Sequence, residues 1–360
     1  MNFYAIYDDV INDIDLFIQS SSYRPDDFYW DVNCLKFSDD NRLNQFFSDY
    51  IKDIKNYTFE WNKRKQSDLF KNYYIQNVDN FIWLYNNLSD QESKNTLLRL
   101  IKSQIAYSIC GDLYLLLYPN QSYVDVQSQG LLSVYESFYE IEDIKIYGTE
   151  YEIYDTWKRE QYSYKDKVVP NISDTVISLG CYYGETSIWF AKKVGNKGII
   201  YALDASKKNI RVAKKNIIIN HIENIILGNI CLSDKEDKKF FLDANGSSRI
   251  IKKEDSSYLH KKEDYIEICT TTLDKYCDSN DINHINFLKI DIEGMDLAAI
   301  KGAKRIIQHS KPNIAVAIYH KPSDFIEIPK LLKYFVPDYK FYLSNKRLDF
   351  NETILFATVY

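Results

Sequence analysis

From Thr175 onward the chain alternates short β-branched runs with amphipathic stretches, and that rhythm leaves few folds open. TVISL, GIIYALD, NIILG with the following ICLS, INFLKID and NIAVAIY read as strands bounded by turn residues. Between them, GETSIWFAKKV, SKKNIRVAKKNIIIN, MDLAAIKGAKRIIQ and DFIEIPKLLKYF carry apolar residues at helical spacing. Strands in alternation with helices build a mainly parallel sheet covered on both faces. The last two runs, YKFYLS and TILFATVY, are joined by a polar turn, so a closing hairpin makes one strand antiparallel. The stretch from Lys239 to Thr272 interrupts the rhythm. There FFLDA and IEICTTTL are expected as strands around a loop holding Ser247, Ser248 and Arg249, either a surface loop or one that closes over an acceptor.

The first 160 residues contain little Gly or Pro and read as helices. Leu43, Phe46, Phe47, Tyr50, Ile51 and Ile54 form an amphipathic stripe. Ser89-Asp90-Gln91-Glu92 is a capping box ahead of Leu97, Leu98, Ile101 and Ile105 on one helix face. No chemistry is legible in this region, which leaves substrate or partner binding as its role. The polar stretch from Tyr162 to Ser173, with Pro170, reads as the seam. The expected division is therefore a mainly helical region over 1–160 and an α/β domain over 161–360.

Charge and composition close several routes. A net charge of −6 argues against nucleic acid, because phosphate contacts need a basic face. The pairs Lys207-Lys208 and Lys214-Lys215 lie at helical spacing and read as a solvated face. Six cysteines form no C-x-x-C and only five histidines are present, so a structural zinc site is not expected. Scattered cysteines fit a reducing cytosol, and MNFYAIYDDV lacks the basic and apolar regions of a secretory signal. No apolar run reaches the roughly 18 residues of a membrane span. A cytoplasmic location is expected.

Four motifs carry chemistry. In VISLGCYYGETS a buried strand runs into Gly180 and Gly184 and then opens a helix, a turn that lets backbone approach a ligand closely. Asp204 lies 20 residues beyond Gly184 at the tip of the next strand. A carboxylate there accepts hydrogen bonds from ribose hydroxyls, although Asp204 or Ser206 would equally cap the following helix. No second phosphate cradle and no P-loop Lys is present, so the ligand reads as a nucleoside without phosphates. In FLKIDIEGMDLAAIKGA, Asp291 and Glu293 follow a buried run where open α/β sheets bind ligands. Glu293 could instead cap the helix that begins near Met295. IYHKP places His320 at the same edge, poised for proton transfer.

On these residues the chain from Thr175 to Tyr360 resembles the FkbM family of S-adenosylmethionine (SAM)-dependent methyltransferases. The matching elements are the glycine loop, Asp204, TTLDKY around Asp274, FLKIDIEGMDLAAIKGA, IYHKP with Asp324, and ETILFATVY. SDQESK, Ser89 to Lys94, resembles the leader of longer members. The resemblance implies a class I SAM-methyltransferase fold: a Rossmann-like α/β sheet of seven strands with a terminal antiparallel hairpin, preceded here by the helical region. The simple dinucleotide-binding fold lacks that hairpin, which disfavours a nicotinamide cofactor. SAM is the implied cofactor and a hydroxyl oxygen the implied methyl acceptor, foremost on a bacterial glycan sugar or another small molecule. Cofactor contacts are expected from Ser178, Gly180, Cys181, Gly184, Asp204, Ala205 and Asn229, the last near the adenine. His320 or Asp291 is expected as base, with Glu293 orienting the acceptor. No metal ligand set is assigned, though carboxylates such as Asp291 and Glu293 suit a hard divalent cation. The Cys181 thiol reads as packing.

One departure matters. The family usually carries an acid two residues before the first glycine, where this chain has Ser178. A hydroxyl cannot pair with the SAM ammonium, a loss of about 1–3 kcal/mol. A non-catalytic SAM-binding or scaffold protein is therefore the alternative expectation.

Overall fold

The computed structural model describes residues 2–20, 72–110, 114–118, 120, 133–134, 138–242, 249–251, 265–347 and 349–360. The amphipathic stripe from Leu43 to Ile54, and Ser247 and Ser248, lie outside the described residues. The chain divides into two units. One comprises Met1–Asn86, Gln91–Gln129 and Asn345–Asn351, the other Asn87–Asp90, Gly130–Ser344 and Glu352–Tyr360.

Among the described residues of the first unit are the helices α1 (Ile6–Ser20), α2 (Val78–Asn87), α3 (Gln91–Cys110) and α4 (Tyr114–Leu117). Leu97, Leu98, Ile101 and Ile105 are all buried, as a single apolar face of α3 requires. Ile6 and Val10 of α1, which packs against α3, are buried as well, as are Phe81 and Leu84 of α2. No helix among the described residues is long and apolar enough to cross a membrane.

The second unit is built on a seven-stranded sheet of order β13-β14-β12-β11-β4-β5-β6. Its strands are β4 (Thr175–Leu179), β5 (Ile199–Asp204), β6 (Ile225–Asn229), β11 (Phe287–Ile290), β12 (Asn313–Ala317), β13 (Lys340–Asn345) and β14 (Thr353–Thr358). From β4 to β6 and from β11 to β12 every neighbouring pair is parallel, and β14 runs antiparallel to β12. This is the sheet that the strand–helix rhythm predicts. β11, β12 and β14 are buried along their whole length, and α6 (Glu185–Val194), α7 (Lys207–Ile219) and α11 (Asp324–Phe335) follow β4, β5 and β12 as connections. Phe190 of α6 packs against Phe287 of β11 with ring centroids 5.3 Å apart.

Three details differ from the sequence expectation. NIILG and ICLS do not form one strand region. Ile230 separates β6 from β7 (Cys231–Leu232), which leaves the main sheet and joins β10 (Tyr265–Thr271), β8 (Asp237–Leu242) and β9 (Arg249–Ile251) in a second sheet of order β7-β10-β8-β9. MDLAAIKGAKRIIQ is two helices, α9 (Asp296–Lys301) and α10 (Lys304–Ser310). The break has a cause outside the segment. Asp274, at the start of α8 (Leu273–Ser279), accepts from the backbone N–H of Arg305 and Ile306 at 2.8 and 2.9 Å, and its own N–H donates to Gly302 O. Gly302 lies so near the Ser233 carbonyl that a Cβ would approach its oxygen to 2.2 Å.

The third difference concerns the stretch from Tyr162 to Ser173. Tyr162, Tyr164 and Val168 are buried in the sheet's own core cluster beside Val176, Ile200, Phe287 and Phe356. Helix α5 (Glu150–Trp157) joins them through Ile153 and Trp157, and a three-stranded sheet precedes it: β1 (Ser133–Val134), β2 (Tyr139–Ile141) and β3 (Ile144–Ile146).

Candidate active site

The strand order reverses between β4 and β11. From β4 the chain steps outward to β5 and β6, then returns to β11 and steps the other way to β12. Open α/β sheets bind ligands at the carboxyl ends of the strands flanking such a reversal. Gly180 and Asp291 emerge there side by side, with Asp291 N–H donating to Leu179 O at 3.2 Å.

The glycine loop fits its sequence reading. Gly180 has φ 74° and Gly184 φ 86°, values that L side chains rarely adopt. A Cβ on Gly180 would stand 1.8 Å from Asp291 O, and one on Gly184 would meet Ala213 at 3.1 Å. Tyr182 also takes a left-handed φ of 47°, and its ring stacks on that of Tyr183 at 3.9 Å. Cys181 is buried, and burial with the nearby Asp204 charge pushes its thiol well above the ordinary range. It packs under the loop and is no nucleophile in that state.

Asp204 ends β5 with its carboxylate held by three donors. Ser206 N–H and Asn209 Nδ2 donate to Oδ1 at 2.8 and 3.2 Å, and Tyr182 N–H donates to Oδ2 at 2.9 Å. Burial raises its pKa above the usual range against the pull of these donors. The cap of α7 is Ser206, whose Oγ accepts from Asn209 N–H. Asn229, exposed at the end of β6, donates to both Asp204 O and Ala205 O at 2.9 Å and so ties the tips of β5 and β6 together.

Beneath the loop lies a buried polar group of three side chains. Ser178 is fully buried and its Oγ makes no hydrogen bond. Its register neighbour Lys289, on β11, donates from Nζ to Leu179 O and Gly180 O at 3.0 and 2.6 Å. Glu185 opens α6 with Oε2 unpartnered, and burial pushes its carboxyl up to about 7, partly offset by the Lys289 charge. Neither Lys289 nor Glu185 stands out in the sequence, because each sits inside a segment that reads as strand or helix.

At the other side of the reversal, Asp291, Glu293 and His320 come together. His320 Nε2 lies 3.4 Å from Asp291 Oδ1 and 3.8 Å from Glu293 Oε2. His320 Nδ1 lies 2.8 Å from Oδ2 of Asp296, a residue with no exposed surface. Asp296 also accepts from Ile292 N–H and Gly294 N–H, and thereby closes the turn ahead of the helix for which Glu293 was the alternative cap. Burial opposes the charge on His320. The hydrogen bond to Asp296 and the charges of Asp296, Asp291 and Glu293 outweigh it and push the imidazole up to about 10. Burial likewise works against Asp296, and the His320 hydrogen bond and charge reverse that, leaving its carboxyl below the usual range. Glu293 itself stands in the left-handed region at φ 53°, held there by Gly294 and the Asp296 turn.

Tyr162 completes the arrangement. Its hydroxyl donates to Asp291 Oδ2 at 2.6 Å, and Lys289 Nζ sits 4.9 Å from its ring centroid. Glu352 accepts from Tyr319 Oη at 3.0 Å and from Gln161 Nε2 at 2.5 Å, which accounts for the acid leading the last strand. Asp324 is buried at the start of α11, and burial with the Asp296 charge pushes it up to about 7. Among these, Tyr162 and Asp296 were not legible beforehand: one lay in a polar turn, the other read as an ordinary first-turn acid.

Comparison with known proteins bears on what this edge does. Residues 177–343 match the family model described as the methyltransferase FkbM domain. Among solved structures the chain is similar to methyltransferase FkbM from Methylobacillus flagellatus, with a TM-score of 0.55 and 16% identity over 87% of this chain and 70% of that one. Lower similarity is found to Aeropyrum pernix fibrillarin in complex with S-adenosyl-L-methionine (TM-score 0.34, 12% identity, 56% of this chain and 74% of that one). An O-methyltransferase from Bacillus cereus in complex with SAH gives a TM-score of 0.33 and 14% identity, over 52% of this chain and 74% of that one. No curated protein sequence matches the chain. At 16% identity the Methylobacillus flagellatus structure speaks to the fold alone. Over residues 177–343, a little under half of its length, the chain is similar to the methyltransferase FkbM domain, and its sheet has the class I methyltransferase fold.

Proposed function

We propose that this domain is a SAM-dependent O-methyltransferase acting on a hydroxyl of a small acceptor, with a glycan sugar as the expected class. One observation carries the reading: the glycine loop and Asp291 meet at the reversal of the sheet, so close that a Cβ on Gly180 would strike the Asp291 carbonyl. A cofactor held on that loop therefore lies next to the strand end that carries Asp291. The residues to hold SAM are Gly180 and Gly184 through backbone, Asp204 at the ribose, and Ala205 and Asn229 toward the base. Ser178 and Cys181 lie beneath the loop and shape it. When bound, SAM supplies an electrophilic methyl group on a sulfonium.

The protein's own contribution is alignment and proton handling. Alignment of acceptor oxygen and methyl carbon can supply several kcal/mol by itself. A hydroxyl acceptor must also lose a proton, which calls for a base within hydrogen-bond reach. With its pKa pushed up to about 10, His320 is an imidazolium at neutral pH and has no lone pair to offer. Asp291 is then the base: Tyr162 occupies Oδ2, and Oδ1 faces His320 and remains for the acceptor. His320 positions and screens that carboxylate, and Glu293 at the rim orients the acceptor. The region over 1–160 is assigned to acceptor or partner binding.

Calorimetric titration with SAM, with its demethylated product S-adenosylhomocysteine (SAH) and with NAD tests the reading. Saturable heat with SAM and SAH, none with NAD, and loss of the signal in Asp204→Ala are expected. A response to NAD alone, or to none of the three, removes the proposal. A non-catalytic SAM-binding protein is the second reading, favoured by the uncharged and unpartnered Ser178. SAM binding without SAH release over a panel of hydroxylated acceptors would favour it.

A further inference from the structure

We propose that Lys289 decides which nucleoside this site accepts: its ammonium receives the carboxylate at the amino-acid end of SAM, so that a nucleoside without that carboxylate is rejected. The inference rests on the methyltransferase reading and names the group that recognises one end of its cofactor.

Lys289 is only 2% exposed, and its side chain runs from β11 to the reversal of the sheet. Nζ donates to Leu179 O at 3.0 Å and to Gly180 O at 2.6 Å, which leaves one of the three ammonium protons. Carbonyl oxygens satisfy these donors without neutralising the charge. Among the described residues no carboxylate stands within ion-pair distance of Nζ. The Tyr162 ring, with its centroid 4.9 Å away, offers a π face and no counter-charge. The register neighbour on β4 is Ser178, fully buried and uncharged. The two acids that feel the Lys289 charge, Glu185 and Asp204, are both raised by burial, Glu185 to about 7. A buried cation without its counter-ion is costly, and an anion that reaches it recovers that cost.

The position of Lys289 selects the anion. The glycine loop links it to Asp204: Gly180 O accepts from Lys289, and two residues on Tyr182 N–H donates to Asp204 Oδ2 at 2.9 Å. Gly180 is half-buried, so this end of the loop meets solvent. A ligand with its ribose at Asp204 and its arm along the loop ends at Gly180. In SAM that arm carries an α-ammonium and an α-carboxylate. Lys289 repels the first, and the second takes the remaining N–H in a charge-assisted hydrogen bond. Ser178 has no charge for the ammonium, and recognition passes to the other group of the same arm.

The test is calorimetry of the full chain with SAH and with decarboxylated SAH, which keeps the nucleoside, the thioether and the amine and lacks the carboxylate. The wild type is expected to bind SAH about tenfold to a hundredfold more tightly, the worth of one hydrogen bond between charged groups. In Lys289→Gln that preference should disappear. Ser178→Asp sets a carboxylate beside the ammonium and should weaken SAH on the order of tenfold. It carries the assignment if Lys289→Gln fails to fold. A lysine that only braces the loop would lower the denaturation midpoint in Lys289→Gln and leave the preference intact. Equal affinity for the two ligands in the wild type, a preference that survives in Lys289→Gln, or SAH affinity unchanged or raised in Ser178→Asp overturns the role of Lys289. Equal and saturable binding of both ligands leaves the methyltransferase reading standing. Binding of neither removes that reading, and the role of Lys289 with it.

Discussion

His320 and Asp296 form the fixed point of the site, Nδ1 standing 2.8 Å from the oxygen of a carboxylate that has no surface of its own. A buried charge left without its partner is costly. Asp296→Ala is therefore expected to lower stability by about 3–5 kcal/mol in urea denaturation. Asp296→Asn keeps the shape and should lose less. A midpoint in Asp296→Ala equal to that of the wild type would show that the pair anchors nothing.

Tyr162 is buried and donates to Asp291 Oδ2 at 2.6 Å. Hydrogen bonds to charged groups contribute about 1.5–3 kcal/mol. Tyr162→Phe should reduce stability within that range and slow methyl transfer roughly tenfold, the equivalent of about 1.4 kcal/mol in the barrier. The SAM dissociation constant should stay unchanged, since Tyr162 touches the acid and not the glycine loop. A rate unaffected by the change would remove Tyr162 from the positioning of Asp291.

Glu185 sets a pH dependence. Burial holds its carboxyl at about 7 in the folded protein against an unfolded value near 4.5. Between those values the folded state binds more protons than the unfolded one, so its contribution lowers stability as pH rises through the window. Below the window the penalty vanishes, and above about 7 it is complete. Glu185→Gln should be more stable than wild type near pH 8, by no more than about 3 kcal/mol, and equal to it near pH 4. Equal denaturation midpoints at both pH values would contradict the assignment.

Asp274 caps a helix that is not its own, accepting from Arg305 and Ile306 N–H. Asp274→Ala should cost about 1 kcal/mol and lower Tm by a few degrees. SAM binding should not change, because α10 lies away from the glycine loop in the connection from β11 to β12. Weakened SAM affinity at unchanged Tm would be the opposite of what a cap does.

The main sheet was legible because its strands are apolar runs whose length and flanking turns separate them from helices. Asp291 and Glu293 were legible for a related reason: charges directly after INFL stand out against burial. What escaped was information held in other segments. The split at Gly302 depends on Asp274, about 30 residues earlier, and the departure of Cys231–Leu232 from the main sheet depends on pairing with Thr270 and Thr271. Tyr162 looked like part of a seam because Pro170 and lysines surround it, yet its ring lies in the core of the sheet unit. Asp296 looked like a first-turn acid of common type. Only the fold brings His320 onto it, and that hydrogen bond with the surrounding acid charges pushes the imidazole up to about 10.

The most direct measurement is SAM binding by isothermal titration calorimetry on the wild type and on Asp204→Ala. The account predicts saturable binding of one SAM per chain in the wild type and none in the variant, whose ribose acid is gone. No heat with SAM or SAH in a folded wild-type protein, or equal affinity in wild type and Asp204→Ala, would contradict it.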